Sequence, residues 1–202
     1  MSIIPPSADT AQHFKLIPEV PDFNPAAIGG NVSDDFKRLV AKIYVHFAGK
    51  HRKTAFAPQV ANQTKFAEVS VHGVEGGKAV GKAWAESVHE VVVTSEMCNS
   101  YGTLHGACAA LFLELCTSSA LVTLGIALGV DGTGVSQTVN YVYHQPARLG
   151  RKLRLVGTTI SVSGRVRIAR GEIWDGDTLC VSCSHSTVHV DNKLAQKRRG
   201  KL

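Results

Sequence analysis

Between His105 and Asp131 the sequence carries one formal charge, Glu114. Other absences narrow the field. No second cysteine pair accompanies Cys180-x-x-Cys183, and structural zinc takes four ligands, so these thiols read as small buried residues of a strand. His144, His185 and His189 lack metal-ligand spacing and read as strand-surface residues. The five cysteines form an odd set without a signal peptide, which predicts reduced thiols inside a cell. The first 30 residues hold Asp9, Glu19 and Asp22 but no arginine, unlike a mitochondrial transit peptide. No apolar run reads as a membrane span. Residues 106–130 come nearest, but Glu114, the glycines and Thr117-Ser118-Ser119 mark a buried core helix. Internal repeats are absent, and only 19% of residues are charged, which suits a subunit with buried interfaces.

What charge there is lies unevenly. The net charge is +6, and the last ten residues contribute Lys193, Lys197, Arg198, Arg199 and Lys201 with no acid. The rest of the chain is nearly balanced, and the tail reads as solvated rather than as a nucleic-acid or membrane-binding element.

Residues 1–31, rich in Pro and Gly, read as extended or loosely packed. Ser33 is a good N-cap, Asp34 and Asp35 suit a first helical turn, and Phe36, Leu39, Val40, Ile43 and Phe47 recur at helical spacing before Gly49. An amphipathic helix is predicted at about 34–48, followed by a polar link over 50–64. From Lys65 the period becomes two, with strands predicted at 66–74, 79–85 and 88–94. A glycine-containing turn then opens a long apolar helix within 99–128. Four extended runs follow, at 135–144, 152–162, 165–174 and 178–190. Strands before the helix and a continuous meander after it predict an α+β fold in which an antiparallel sheet wraps one central helix. The chain divides into an extension (1–64), a main domain (65–190) and a basic tail (191–202).

A carboxylate in the middle of an apolar helix is costly to bury unless it is paired or hydrogen-bonded. Glu114 is therefore either a structural acid capped by neighbours such as Thr117 or Ser118, or a catalytic one. Here the residues resemble a known family. Asn99-x-x-Gly102-Thr103-Leu104-His105-Gly106, with an acid eight residues later, resembles the hotdog-fold acyl-CoA thioesterases. The branch it is most similar to is that of the phenylacetate pathway and its mammalian medium- and long-chain relatives. Gly134-Val135-Ser136, Asn140-Tyr141-Val142-Tyr143 and Pro146-Ala147-Arg148-Leu149-Gly150 extend the resemblance, which covers about residues 65–190. Where Glu114 and Ala107 stand, that branch usually has Asp and often has Gly.

The resemblance implies a hotdog fold with an extra N-terminal helix and hydrolysis of acyl-CoA to free acid and coenzyme A. It implies no metal or redox cofactor, coenzyme A being part of the substrate. Gly106 would offer its backbone N–H to the thioester carbonyl, Glu114 would act as base on water or as nucleophile, Asn99 and Ser136 would hold water or carbonyl, and His105 would orient the turn. Eight helical residues separate Gly106 from Glu114 by roughly 12 Å, so one carbonyl cannot reach both on one helix. If both are catalytic, the site is shared by two antiparallel helices of a dimer, or a dimer of dimers. Arg148 and the Gly164-Arg165 turn are the candidates for coenzyme phosphates. A hotdog hydratase or dehydratase, and a non-catalytic acyl-CoA-binding subunit docked through the N-terminal helix, are the other readings. Gly200-Lys201-Leu202 resembles a peroxisomal signal, leaving cytoplasm, mitochondrion or peroxisome as expected locations.

Overall fold

Helix α3 (Gly106–Leu128) is apolar on nearly every side, as a helix enclosed on all but one stripe must be. It is long and apolar enough to cross a membrane by length and composition; here a sheet encloses it. The computed structural model describes residues 14, 17–21, 23–49, 55–162 and 164–189, so the basic tail and its last tripeptide lie outside the described residues. The sheet comprises β1 (Lys65–Glu75), β2 (Lys78–Val92), β3 (Val135–Tyr143), β4 (Lys152–Ser161), β5 (Val166–Asp175) and β6 (Thr178–Val188). All pairings are antiparallel, in the order β1-β2-β4-β5-β6-β3. The α+β expectation, with one antiparallel sheet around one helix, is what is found.

Three sequence expectations change. The strands predicted at 79–85 and 88–94 are the single strand β2. Glu86-Ser87 reads as a break, yet the Ser87 hydroxyl turns inward and donates to the Cys116 carbonyl at 3.0 Å, while Glu86 accepts from Thr158. The meander after α3 is not continuous. β3 lies at the far edge beside β6, because residues 144–149 cross the start of α3, where Leu104 N–H donates to the Ala147 carbonyl. The segment before helix α1 (Asp34–Phe47) is packed where it is described. Phe14, Ile17, Ile28 and Val32 are buried, and Gly29 and Asn31 bond along the free edge of β1, Asn31 through both Val71 backbone groups. One sheet edge is thus covered. The other, β3, is exposed along almost its whole length.

Helix α1 (Asp34–Phe47) begins where predicted, with the Ser33 hydroxyl accepting from Phe36 N–H at 3.4 Å, and Gly49 follows it at φ +87°. A short helix, α2 (Pro58–Ala61), lies in the link. The inner side of α1 (Phe36, Val40, Ile43) packs with Val69, Val71, Leu124 and Ile126 around the C-terminal half of α3. Around its N-terminal half, Phe112, Leu113 and Cys116 pack with Leu153, Leu155, Ile173 and Val181. Tyr44 of α1 stacks on His89 of β2 (centroids 4.0 Å apart), with Phe66 edge-on at 4.9 Å. His89 is fully buried and neither ring nitrogen has a partner among the described residues, so burial drives its pKa down to about 3.

The sheet meets α3 most closely at Gly157 of β4 and Gly171 of β5, which face each other across the ladder. A Cβ on Gly157 would penetrate the Cys116 carbonyl; one on Gly171 would stand 2.8 Å from Cys183 Sγ and 2.9 Å from Thr117 Cγ2. Gly157→Ala should therefore overpack the core by about 1–3 kcal/mol or more, read as a lower urea midpoint at unchanged slope. A wild-type midpoint in this variant would refute the contact. His89 protonates near pH 6.5 in the unfolded chain but only near pH 3 in the folded one. Its contribution to stability is complete above pH 6.5 and is lost as pH falls below it. Between pH 7.5 and 4.5 that loss should be about 2–3 kcal/mol, and urea titrations of His89→Phe at both pH values should show a pH dependence smaller by that amount.

Candidate active site

The turn preceding α3 is held by its own side chains. Asn99 Oδ1 accepts from the N–H groups of Tyr101 (3.0 Å) and Thr103 (3.3 Å), and its Nδ2 donates to Thr103 Oγ1 at 3.0 Å. The carbonyl oxygen of Asn99 is thereby committed to the loop, leaving one amide hydrogen to point elsewhere. His105 is the N-cap, and its Nδ1 accepts from Ala107 N–H at 3.0 Å. That bond removes one free donor from the helix start. The preceding N–H, on Gly106, makes no hydrogen bond among the described residues, and the Gly106 carbonyl accepts from Tyr143 at 3.0 Å. The helix therefore presents one open N–H, at Gly106, on the positive end of its dipole.

Glu114 lies two turns further on. Between Ala109 and Ala127, the residues of α3 that are not fully buried are Ala110, Leu111, Glu114, Leu115 and Ser118, one stripe along the helix. Glu114 is not capped by Thr117 or Ser118. Its Oε1 accepts from the Ser136 hydroxyl of β3 at 2.5 Å. Ser136 Oγ is also 3.0 Å from His185 Nε2, and His185 Nδ1 is 2.6 Å from Thr117 Oγ1, which reaches the Leu113 carbonyl at 2.7 Å.

His185 is thus no strand-surface residue: it is 0% exposed and forms the centre of a chain from Glu114 to the helix backbone. Motif spacing does not reveal it. The period of β6 does, since Val181, Cys183, His185 and Thr187 alternate onto the buried face. Burial lowers the His185 pKa, with the Glu114 carboxylate opposing, which keeps the ring neutral near pH 7. A neutral ring allows two proton arrangements. With Nε2 protonated, His185 donates to Ser136, Ser136 donates to ionised Glu114, and Thr117 donates to Nδ1 in place of the Leu113 carbonyl. With Nδ1 protonated, the three side-chain bonds reverse, Thr117 donates to the Leu113 carbonyl and Glu114 carries the proton. The chain can therefore take a proton at the carboxylate while keeping its three side-chain bonds.

Glu114 and Ser136 open onto a cavity of about 190 Å³ walled by Phe47 of α1, Leu111, Leu115, Ser118, Leu121 and Val122 of α3, and Gly132–Gly134, with Thr187. Asn99, His105 and Gly106 do not line it. One protomer therefore holds two separated groups, the open N–H at the helix start and the acid with its polar chain roughly 12 Å along the helix.

The basic residues sort by their partners. Arg151 pairs with Asp175, Lys152 with Glu90, Arg154 with Glu68 and Arg170 with Glu172. Arg167 is buried, donating to the Thr133 carbonyl beside His189 and Asp131. Arg148 and Arg165 are exposed and have no ion pair among the described residues. Arg148 adjoins the Asn99–Gly106 turn, bridging to Thr103. Arg165 follows Gly164 (φ +71°) in the β4–β5 turn, near the opposite end of α3.

Comparison with known proteins agrees with this architecture. The family model described as Thioesterase superfamily matches residues 101–182, spanning most of the turn, α3, and β3 through the first five residues of β6. No curated protein sequence matches the chain. Among solved structures, zebrafish thioesterase superfamily member 2 superposes with a TM-score of 0.57 at 17% identity, over 74% of this chain and 95% of that one. The Mus musculus member 2 gives 0.55 at 16%, over 74% and 93%. At such identities the likeness is one of fold. Residues 101–182 are similar to the thioesterase superfamily, and the sheet-wrapped helix in which they lie is the hotdog fold.

Proposed function

We propose that the protein hydrolyses acyl-CoA thioesters to free acid and coenzyme A. The observation that carries this reading is the Glu114–Ser136–His185 chain opening onto an apolar-walled cavity, with Glu114 and Ser136 inside the region similar to the thioesterase superfamily. In this reading the thioester carbonyl oxygen accepts from the free Gly106 N–H, where the helix dipole favours a developing oxyanion. Water held by Ser136 and the remaining Asn99 amide hydrogen attacks the carbonyl carbon as Glu114 removes its proton. Collapse of the tetrahedral intermediate breaks the C–S bond, and the proton held at Glu114 passes to the departing thiolate. His105 keeps the helix start open by occupying Ala107 N–H rather than Gly106 N–H. Arg148 and Arg165, two exposed arginines without an ion pair among the described residues, are suited to the coenzyme phosphates.

A dimer follows from the same roles. Gly106 and Glu114 stand too far apart on one helix, the stripe of α3 is only partly covered by α1 and α2, and β3 offers a free strand edge that another copy can extend. In such a dimer each site takes Asn99 and Gly106 from one copy and Glu114, Ser136 and His185 from the other. A second reading is favoured by the 3.0 Å His185–Ser136 contact: Ser136 attacks the carbonyl itself with His185 as base. Rapid quench and mass spectrometry separate the two, since only the second gives an acylated Ser136.

Thiol release from a panel of acyl-CoAs should fall about 10²–10⁴-fold in kcat for Glu114→Ala, with alkyl-CoA thioether binding retained; no release by wild type from any thioester would leave the non-catalytic binding subunit. Co-refolding inactive Glu114→Ala with inactive Asn99→Ala should restore about a quarter of wild-type activity, because half of randomly paired dimers carry one intact site. No recovery would place each site within one copy.

A further inference from the structure

The cavity beside Glu114 ends at an aromatic side chain of α1, an element outside the thioesterase-superfamily match. Phe47, the last residue of α1, is 44% exposed although it belongs to the helix's apolar face. On its other side lies a slit of about 10 Å³, lined by Val40, Ile43 and Tyr44 of α1 and by Ser119 of α3. Cavity and slit share four wall residues: Phe47, Leu115, Ser118 and Val122. Three of these lie on successive turns of α3 and form a continuous floor. Phe47 is the one shared wall residue contributed by α1, so it borders both the cavity and the slit between the two helices. Beyond the slit the path closes firmly, since Tyr44 is stacked on His89 and bonded to Thr64 at 2.5 Å.

From this we infer that Phe47 is the residue that sets acyl length, stopping the acyl tail in a pocket between α1 and α3. The inference rests on the thioesterase reading of the site. Continuity with Glu114 and Ser136 identifies the occupant: a group attached at the carbonyl end must lie along the Leu111, Leu115 and Val122 wall, which is apolar. Size limits it. At 190 Å³ the cavity is below the usual 300–1,000 Å³ of pockets for larger ligands, and a 150 Å³ apolar cavity accommodates benzene. It suits an acyl group of about six to eight heavy atoms. A longer chain must displace the Phe47 ring or leave methylenes in water, each worth about 0.8 kcal/mol of burial. The half-exposed position of Phe47 at a helix end makes its removal tolerable to the fold.

The test is the chain-length profile of kcat/KM, on acyl-CoAs from four to sixteen carbons, for wild type, Phe47→Ala and Phe47→Leu. Wild type should peak at six to eight carbons and fall at least about 10-fold by twelve. Phe47→Ala should raise the ratio of kcat/KM on twelve carbons and longer to that on six by about 10-fold or more, with Phe47→Leu intermediate. Dissociation constants of six- and fourteen-carbon S-alkyl-CoA thioethers, measured in the Glu114→Ala background, should show the same shift without turnover. A wild-type profile flat to sixteen carbons, or identical profiles in all three proteins, would overturn the role of Phe47 while leaving the thioesterase standing. Absence of hydrolysis in wild type would overturn the thioesterase, and the thioether constants would then decide Phe47 alone.

Discussion

The closest approach of the sheet to its helix governs the rest of the molecule. Gly157 and Gly171 face each other on β4 and β5, and neither leaves room for a methyl group beneath Cys116 and Thr117. This depth puts Thr117 in reach of two strands. Its methyl rests over Gly171, and its hydroxyl meets His185 on β6. Packing and polar chemistry therefore share a residue: a helix held further out would lose the core contact and the His185 bond together.

The carboxylate in the apolar helix is accommodated in the same way. Glu114 points along the one stripe that the sheet leaves open, and Ser136 supplies its hydrogen bond from the edge strand. Behind Ser136, a fully buried histidine and a threonine complete a chain in which each member has a partner. Buried polar groups are tolerable when the network is closed. His89 is the contrasting case, equally buried, with Tyr44 stacked on it, Phe66 edge-on and no hydrogen-bond partner for its ring among the described residues.

How far all this could be read beforehand follows the range of the interactions. Capping and period are local, so α1 from Ser33 to Gly49, the turn before α3 and the alternating strands were legible. The register that merges two strand candidates into β2 depends on where Ser87 finds an acceptor, and that acceptor lies 29 residues away. The position of β3 beside β6 depends on a crossing loop, so the pairing of Ser136 with Glu114, 22 residues apart, has no local signature. His185 is within reach of a period-two reading of β6, whereas its spacing to the other histidines carries no signal. The cavity could not be read at all, since its walls come from α1, α3, the loop before β3, β3 and β6, brought together only by the fold.

The order of the elements has a consequence during synthesis. Of the strands that cover α3, only β1 and β2 precede it; the remaining cover is finished with Val188. At about 5–20 residues per second, the sixty residues from Leu128 to Val188 take about 3–12 s. For that time a 23-residue helix with the composition of a membrane segment stands half-clothed at the ribosome. A charged side chain near the centre of a helix opposes insertion into a bilayer by about 2.5–3.5 kcal/mol. Glu114 is the only one α3 has, so the residue that equips the finished cavity also marks the nascent helix as one to be kept in water until its sheet arrives.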